Sequence, residues 1–292
     1  MEISSKFVGL TFKTYQTKIK WRDTMNYAAA INDSNARYFD DEDPSGIIAP
    51  PMYSVALTWP ILNNLQTFID ADDFPFEILK TQVHFNEYLE FHSPLIPDDD
   101  LLITGTIVAV LPKKSGTLIV IKFEAINQHQ KMIFTEWIGG LMRGVICQDE
   151  GAGKEVLPHT YSFSKENNLE WEHVKQINKM APFIYDAGAN ISFPIHTSKK
   201  FAHQVGLPDI ILQGTATLAF AVRELLNRNA DADPNRLKIL SCDFSGMVFA
   251  PSEIRIQLLE CVENELHNDL FFQVTDTTGD IVVKNGYARI ER

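Results

Sequence analysis

The sequence has few cysteines and few basic residues, and both shortages exclude classes of protein. Its three cysteines, Cys147, Cys242 and Cys261, form no C-x-x-C pair, and such an odd, sparse set is typical of reduced thiols in a cytoplasmic protein. With 26 Lys and Arg against 38 Asp and Glu, the formal net charge is −12. Because phosphate contacts need a concentrated basic surface, this charge argues against nucleic acids and anionic membranes as partners.

Targeting signals and cofactor motifs are missing as well. Residues 1–6 lack the apolar core of a signal peptide, and residues 52–65, the most apolar long stretch, are too short and interrupted to span a bilayer. The sequence contains no G-x-x-x-x-G-K-[ST] or G-x-G-x-x-G phosphate loop, no H-E-x-x-H and no Cys/His cluster. It therefore predicts a cytoplasmic protein without a membrane segment, a metal site or a bound cofactor.

What is present is the composition of a globular protein with a sizeable core, since 45% of the 292 residues are hydrophobic. This length favours two domains of ordinary size. A polar stretch at residues 148–168 suggests the connection between them. We predict a first domain over residues 1–150, a linker over 151–168 and a second domain over 169–292.

Each predicted domain contains one prominent helix and several strands. Proline fits the first turn of a helix, so Pro50-Pro51 predicts the start of the first, and Gln213-Gly214 precedes the apolar spacing of the second. Runs rich in Val, Ile, Thr and Phe predict strands. These are residues 7–20, 78–89, 101–111, 117–126 and 132–143 in the first domain, and 169–177, 237–244, 254–262, 270–275 and 281–290 in the second.

The two domains also share short motifs in the same order. Tyr27-Ala28-Ala29 matches Tyr185-Asp186-Ala187 at an offset of 158 residues (185 − 27). Residues 47–51 match residues 210–214 at an offset of 163 (210 − 47). The sequence therefore predicts an α+β pseudo-dimer within one chain, in which an antiparallel sheet wraps a central helix twice and pairing protects the short sheets.

The motif at residues 185–196, followed by Phe201-Ala202 and Gly206, resembles the signature of R-specific enoyl-CoA hydratases and MaoC-like dehydratases. Pro194-Ile195-His196 matches the end of that signature, and residues 210–214 resemble the turn that opens its helix. Residues 27–39 and 46–51 resemble the N-terminal dehydratase domain of the same family. The resemblance implies two hotdog units in one chain, each an antiparallel sheet around a central helix.

The resemblance also implies reversible hydration and dehydration of a 2-enoyl or 3-hydroxyacyl thioester. The thioester is expected on CoA, with acyl carrier protein as the alternative carrier and no further cofactor. The fold also hosts thioesterases, and a subunit that binds acyl thioesters without turnover is a further alternative. A homodimer is compatible with a pseudo-dimeric chain.

Neither domain carries the complete pair of catalytic residues that the resemblance implies. Ile191 stands at the family's Asp position, Phe193 at its Asn position and Asn190 at its Gly position. In the first domain Asp33 and Asn35 match, but Tyr38 stands at the His position. Those two first-domain residues are expected in turns and caps.

The backbone at the helix start distinguishes the two domains. Gly214 has an N–H and lets a thioester approach the backbone, whereas Pro51 at the matching position has no N–H. We therefore expect one site, in the second domain. The resemblance implies that His196 is its acid/base and that the Gly214 N–H stabilises the oxyanion. Asn190 is expected to orient water or a carbonyl, or else to form a turn.

Five further residues are candidates for substrate contact because they flank these positions. Ser192 has an alternative loop role and Thr215 an alternative capping role. Asp186 is a substitute for the missing carboxylate only if it faces the site, and on a helix it is expected to be solvated or to cap. The five candidates are Ile191, Ser192, Phe193, Gln213 and Thr215.

Overall fold

The computed structural model describes residues 1–161, 163 and 169–292 of the chain. Its first half has two helices of ten residues, a third of four residues, and four long strands. The elements in chain order are β1 (Glu2–Ile3), β2 (Tyr15–Lys18), α1 (Trp21–Ala30), α2 (Ser54–Asn63), α3 (Leu65–Phe68), β3 (Gln82–Phe91), β4 (Asp100–Lys113), β5 (Gly116–Asn127), β6 (Met132–Arg143) and β7 (Ile146–Cys147).

The second half follows the same plan with a longer central helix. Its elements are β8 (Trp171–Ile177), α4 (Ala181–Ala189), α5 (Lys199–Gln204), α6 (Gly214–Asn229), β9 (Leu237–Phe244), β10 (Ser252–Glu263), β11 (His267–Thr275) and β12 (Ile281–Glu291). The predicted strands over residues 132–143 and 237–244 have the bounds of β6 and β9. The predicted helix after Gln213 is also confirmed.

Ten strands form one continuous sheet in the order β2-β4-β5-β6-β3-β9-β12-β11-β10-β8. From each edge to the centre, the two halves contribute their strands in the same sequence, so β2 corresponds to β8 and β3 to β9. The two central strands pair antiparallel, from Asn86 opposite Asp243 to Glu90 opposite Ile239. The predicted α+β class and the double-hotdog arrangement are therefore confirmed.

The central helices α2 and α6 lie in the hydrophobic core formed with the sheet. In α6 every residue from Ala216 to Leu226 is buried, because this helix is covered on all sides. In α2, Val55, Leu57 and Ile61 are buried, whereas Trp59 is only half-buried. The part of the chain that the structure describes has no helix with the length and apolar character needed to cross a membrane.

Two strand predictions began too early. Of residues 7–20, only Tyr15–Lys18 form a strand, and Ser5–Phe7 form a 3-10 helix capped by the Ser4 hydroxyl. Residues 78–81 likewise belong to a 3-10 helix, Phe76–Thr81, that precedes β3. In both cases apolar side chains that were read as strand positions pack into the core from helical turns instead.

The predicted linker over residues 151–168 is attached to the sheet at its beginning. Ala152 and Val110 exchange two backbone hydrogen bonds of 2.9 and 3.1 Å, and Lys154–Val156 form a 3-10 turn. Positions 162 and 164–168 of this prediction lie outside the described residues. The domain boundaries stay a prediction.

Helices α1 and α4 meet across the pseudo-two-fold axis. The hydroxyls of Tyr27 and Tyr185 are 3.2 Å apart, and their rings contact edge to face. At the crossing, a Cβ on Gly188 would lie 2.4 Å from the Ala30 Cβ and 2.8 Å from the Asn26 carbonyl oxygen. A glycine is therefore required for the helices to approach this closely.

Candidate active site

The start of α6 leaves backbone donors open. The N–H groups of Ala216 and Thr217 both donate to the Gln213 carbonyl, at 3.1 and 3.2 Å. Among the described residues, no backbone carbonyl accepts a hydrogen bond from the N–H of Gly214 or Thr215. Free N–H groups and the positive end of a 16-residue helix favour negative charge at this point.

His196 lies against the turn that precedes α6. It ends a 3-10 helix, Pro194–His196, and its Nδ1 is 2.8 Å from the Ile211 carbonyl oxygen. A carbonyl only accepts, so Nδ1 carries the proton and Nε2 keeps its lone pair. Burial lowers the pKa of His196 to about 4, against the opposing effect of this hydrogen bond. His196 is therefore neutral near pH 7 and able to accept a proton at Nε2.

The residues between α4 and His196 divide into exposed and buried ones. Asn190 ends α4 in the left-handed conformation, with φ of 54°, and it is exposed. Ser192 is exposed as well. Ile191 is buried in the core, at 5% exposure, so its side chain packs with the interior. Substrate contact by any of these three stays a prediction.

Phe193 is the apolar neighbour of His196. Their ring centroids are 6.4 Å apart, and Phe193 also contacts Phe201 at 5.9 Å and Trp59 at 6.5 Å. Because Trp59 belongs to α2, the first half contributes an aromatic side chain next to the His196 loop. Phe193 itself is 37% exposed and can meet a ligand.

Gln213 and Thr215 tie α6 to α4. The Gln213 amide is buried and its Nε2 donates to the Pro182 carbonyl at 3.1 Å. Thr215 interacts with the Tyr185 hydroxyl. These contacts give both residues a structural role at the helix start, and their predicted substrate contacts remain untested.

Asp186 is partly exposed, and only part of its carboxyl is solvated. Its Oδ2 is buried and has no hydrogen-bond partner among the described residues. Burial raises the pKa of Asp186, and an interaction with Ser192 opposes that rise. In the sequence, Asp186 is marked only by the repeat, because Ala28 stands at the matching position of the first half.

The matching region of the first half is filled with core side chains. Ala28, Tyr38 and Ile48 form a closed cluster of buried residues, and Pro51 supplies no N–H at the start of its 3-10 turn. Tyr38 is 1% exposed. The first half therefore has a similar backbone arrangement, but it lacks the carboxyl, the imidazole and the N–H that Asp186, His196 and Gly214 supply in the second half.

The first-half motif residues serve the local backbone, as expected for turn and cap positions. Asp33 Oδ1 accepts from the Asn35 N–H at 3.1 Å, and Asn35 Oδ1 accepts from the Arg37 N–H at 3.0 Å. The Asn35 amide also donates to the Ala232 carbonyl at 2.6 Å. Asp33 and Asn35 therefore stabilise the local turn, and Asn35 also binds the second half.

A buried acidic cluster next to the helix start was not found from the sequence. The His84 ring packs on Phe244 with centroids 4.4 Å apart, and a Cβ on Gly214 would lie 3.1 Å from the Phe244 ring. His84 Nε2 is 3.0 Å from Glu87 Oε2, and burial lowers the pKa of His84 to about 4. Glu136 adjoins Glu87, and both are fully buried. Strand periodicity gives no signal for contacts between separate strands.

Metal-binding side chains do not come together in the described ranges, where no group of three or more His, Cys, Asp or Glu is placed to hold a metal ion. Near the start of α6 the structure provides the neutral His196 imidazole, the half-buried Asp186 carboxyl on α4 and open backbone donors. Such a set can move protons beside a carbonyl oxygen that gains negative charge.

The fold is that of a double-hotdog protein, and the candidate site residues lie in its second half. Residues 187–283 match the MaoC like domain, and residues 6–136 match the FAS1-like dehydratase domain region. The chain therefore contains a FAS1-like dehydratase region followed by a MaoC-like domain, which confirms the resemblance predicted from its motifs.

Known proteins agree with this assignment. Peroxisomal multifunctional enzyme type 2 of Mus musculus is 25% identical over 211 residues, which are 70% of this chain and 27% of that protein. A MaoC-like dehydratase from Phytophthora capsici has a similar structure, with a TM-score of 0.83, 20% identity and 98% of each chain covered. A double-hotdog protein from Mycobacterium tuberculosis gives a TM-score of 0.64 at 12% identity, over 98% of this chain and 96% of that one. The chain spans about a quarter of the length of the curated relatives it matches.

Proposed function

We propose that this protein catalyses the reversible addition of water to a 2-enoyl thioester, giving the 3-hydroxyacyl thioester. The observation that carries the proposal is the position of His196, whose Nδ1 binds the Ile211 carbonyl at 2.8 Å just before the open N-terminus of α6. This geometry fixes the imidazole while leaving Nε2 available for proton transfer. The family assignment of residues 187–283 supports the same reaction class.

His196 accepts a proton from the attacking water through Nε2. The Gly214 N–H donates to the thioester carbonyl oxygen as that oxygen gains charge. A preorganised donor at this position contributes about 10²–10³-fold to the rate in comparable sites. Asn190, exposed at the end of α4, orients the water or the carbonyl with its amide.

The substrate is proposed to be a CoA thioester, with acyl carrier protein as the second possible carrier and no other cofactor. The mouse and Drosophila melanogaster relatives are named as peroxisomal multifunctional enzymes. The cytoplasmic location inferred from the sequence stays a prediction, as does a homodimer.

The Phe193 and Trp59 rings supply an apolar wall for the acyl chain beside His196.

The test is hydration of a panel of 2-enoyl-CoAs, followed by the loss of absorbance of the conjugated thioester. We expect turnover by the wild type and a loss of about 10²–10⁴-fold in kcat for His196→Ala. The control is His129→Ala, because His129 is exposed on the loop after β5. Equal rates for wild type and His196→Ala would contradict the role of His196.

The absence of a carboxylate between Asn190 and His196 favours one alternative, a subunit that binds acyl thioesters without turnover. Tight binding of acyl-CoA with no hydration at any chain length would support this alternative over the lyase. Release of free CoA, measured with a thiol reagent, would instead identify a thioesterase. The three functions are thus separated by measurements on the same acyl-CoA panel.

A further inference from the structure

Asp186 faces the start of α6 because of its place on α4. Pro182, Asp186 and Ala189 recur at spacings of four and three residues, which puts them on one face of the helix. Pro182 and Ala189 are buried on that face. The Gln213 amide holds the same face through the Pro182 carbonyl, at 3.1 Å. Asp186 therefore lies on the face of α4 that borders the turn carrying Gly214, and its carboxyl interacts with Ser192 in the loop before His196.

The 3-10 helix of His196 is fixed to the same turn. His196 Nδ1 binds the Ile211 carbonyl at 2.8 Å, and the Ile211 N–H donates to the Ile195 carbonyl at 3.4 Å. The turn over residues 211–215 is thus held by α4 on one side and by the His196 loop on the other. Both candidate proton carriers border it.

The first half provides an internal measure of how close these positions are. Ala28, Tyr38 and Ile48 stand at the positions that match Asp186, His196 and Ile211, by the offsets of 158 and 163 residues. These three residues contact one another and form a closed cluster. The Ile48 N–H also donates to the Arg37 carbonyl, at 2.9 Å, just as Ile211 does to Ile195. By this correspondence, we expect the second half to place Asp186 beside His196.

The state of the Asp186 side chain is unusual for a helix carboxylate. The side chain is half-buried, with Oδ2 buried and without a hydrogen-bond partner among the described residues, while Ser192 interacts with the carboxyl. It does not cap α4, which begins at Ala181. A buried, unpaired carboxyl oxygen is costly unless the group is neutral. Such a group favours the protonated form and can return its proton to a reactant.

We infer that Asp186 is the second proton-transferring residue of this site and stands in for the carboxylate missing at Ile191. This rests on the proposed function and names the catalytic carboxyl within it. The residue belongs to α4 rather than to the loop before His196. It has no counterpart in the first half, where Ala28 occupies the position.

In hydration, His196 Nε2 takes a proton from water, and the remaining hydroxide forms a bond to the β-carbon. The electron pair of the double bond moves towards the thioester carbonyl, whose oxygen is held by the Gly214 N–H. Asp186 then gives its proton to the α-carbon as the carbonyl re-forms. The imidazolium and carboxylate left behind exchange one proton through solvent, which restores the starting state.

The test compares Asp186→Asn with the wild type, using 2-enoyl-CoA hydration and the binding of a saturated acyl-CoA of equal length. We expect kcat to fall about 10²–10⁴-fold, because an amide cannot supply the proton. Affinity for the saturated acyl-CoA and the melting temperature should remain unchanged. Asp186→Glu should recover part of the rate. Asp231→Asn is the matched control, since Asp231 is an exposed carboxylate beyond α6 that pairs with Arg236.

Each outcome decides the assignment. An active wild type with an equally active Asp186→Asn variant would overturn the role of Asp186 and leave the proposed function intact. Loss of activity together with loss of acyl-CoA binding or of folding in both Asp186→Asn and Asp186→Glu would assign Asp186 to structure instead. A wild type without turnover on the whole panel would overturn the proposed function and this role with it.

Discussion

Glu87 on β3 and Glu136 on β6 place two carboxyl groups side by side in the interior. Glu87 Oε2 lies 3.0 Å from His84 Nε2, the two carboxyls interact with each other, and Glu136 also interacts with Thr58. Burial raises the pKa of both carboxyls well above the usual value. The folded protein therefore holds protons here that the unfolded chain releases.

This pair gives the stability a defined dependence on pH. The unfolded chain loses these protons above about pH 4.5, while the folded chain keeps them up to its higher pKa values. The contribution to the free energy of unfolding is thus largest below the unfolded pKa. It falls by up to about 1.4 kcal/mol per pH unit for each carboxyl as pH rises. The double variant Glu87→Gln/Glu136→Gln should therefore lose less stability than the wild type between pH 5 and pH 8.

Urea unfolding at a series of pH values measures this effect. The control is Glu150→Gln/Glu265→Gln, which changes two exposed glutamates and should keep the wild-type slope. An unchanged slope in the buried double variant would mean that the two carboxyls are ionised in the folded protein.

Individual residues of the site were predictable only where a motif or a backbone rule marks them. His196 and Gly214 are predicted because the motif and the missing Pro51 N–H point to them. Ile191 is buried in the core, and its predicted contact with substrate stays a prediction. The Glu87–Glu136 contact depends on strand pairing across the sheet, which no local spacing reports.

The start of a central helix is the element that distinguishes the two halves. Pro51 begins a 3-10 turn before α2, whereas Gly214 begins α6 directly. Proline at the first helical position preserves the helix and removes one donor. Gln213 is already extended, with φ of −59° and ψ of 136°, as a residue before proline requires.

Gly214→Pro should therefore keep α6 and lose the oxyanion donor. We expect a fall of about 10²–10³-fold in kcat for enoyl-CoA hydration, with far-UV circular dichroism unchanged. Gly214→Ala is the control, because it keeps the N–H while adding a Cβ at 3.1 Å from the Phe244 ring. If both variants lose activity equally, crowding against Phe244 and not the donor explains the loss.

Helix and strand predictions succeeded where one periodicity covers a whole element. Helix α6 and strands β6 and β9 begin where the sequence predicts. The predicted starts of β2 and β3 were wrong because apolar residues there are buried from 3-10 turns. Phe7 packs against Phe74 at a ring distance of 5.1 Å, and Ile78 is buried in the turn before β3. Alternating apolar residues there reflect burial and not strand pairing.

Across the whole molecule, bonds from α6 reach into the first half. Arg223 is buried, and its Nη1 donates to the Ile31 and Asn32 carbonyls, each at 2.9 Å, at the end of α1. Glu224 pairs with the same guanidinium. Together with the β3–β9 pairing, these bonds make the two halves one folding unit.

We expect a single unfolding transition, with tryptophan fluorescence and circular dichroism changing together. Arg223→Met should lower the free energy of unfolding by about 3 kcal/mol, because it leaves two buried carbonyls and Glu224 with fewer partners. The control is Arg228→Met on the same helix, since the partners of Arg228 among the described residues, His173, Trp171 and Glu224, lie in the second half. Two separated transitions in the wild type would contradict this coupling.

The contact between Tyr27 and Tyr185 lies where a dimer of identical subunits would have its symmetry axis. In such a dimer every substitution occurs in both subunits, so the two copies of a site cannot change independently. Joining the two copies in one chain removes that restriction, and Tyr38 and His196 have become different residues at matching positions. With the proposed site in the second half alone, we expect one ligand to bind per chain, and a hyperbolic saturation curve for a monomer.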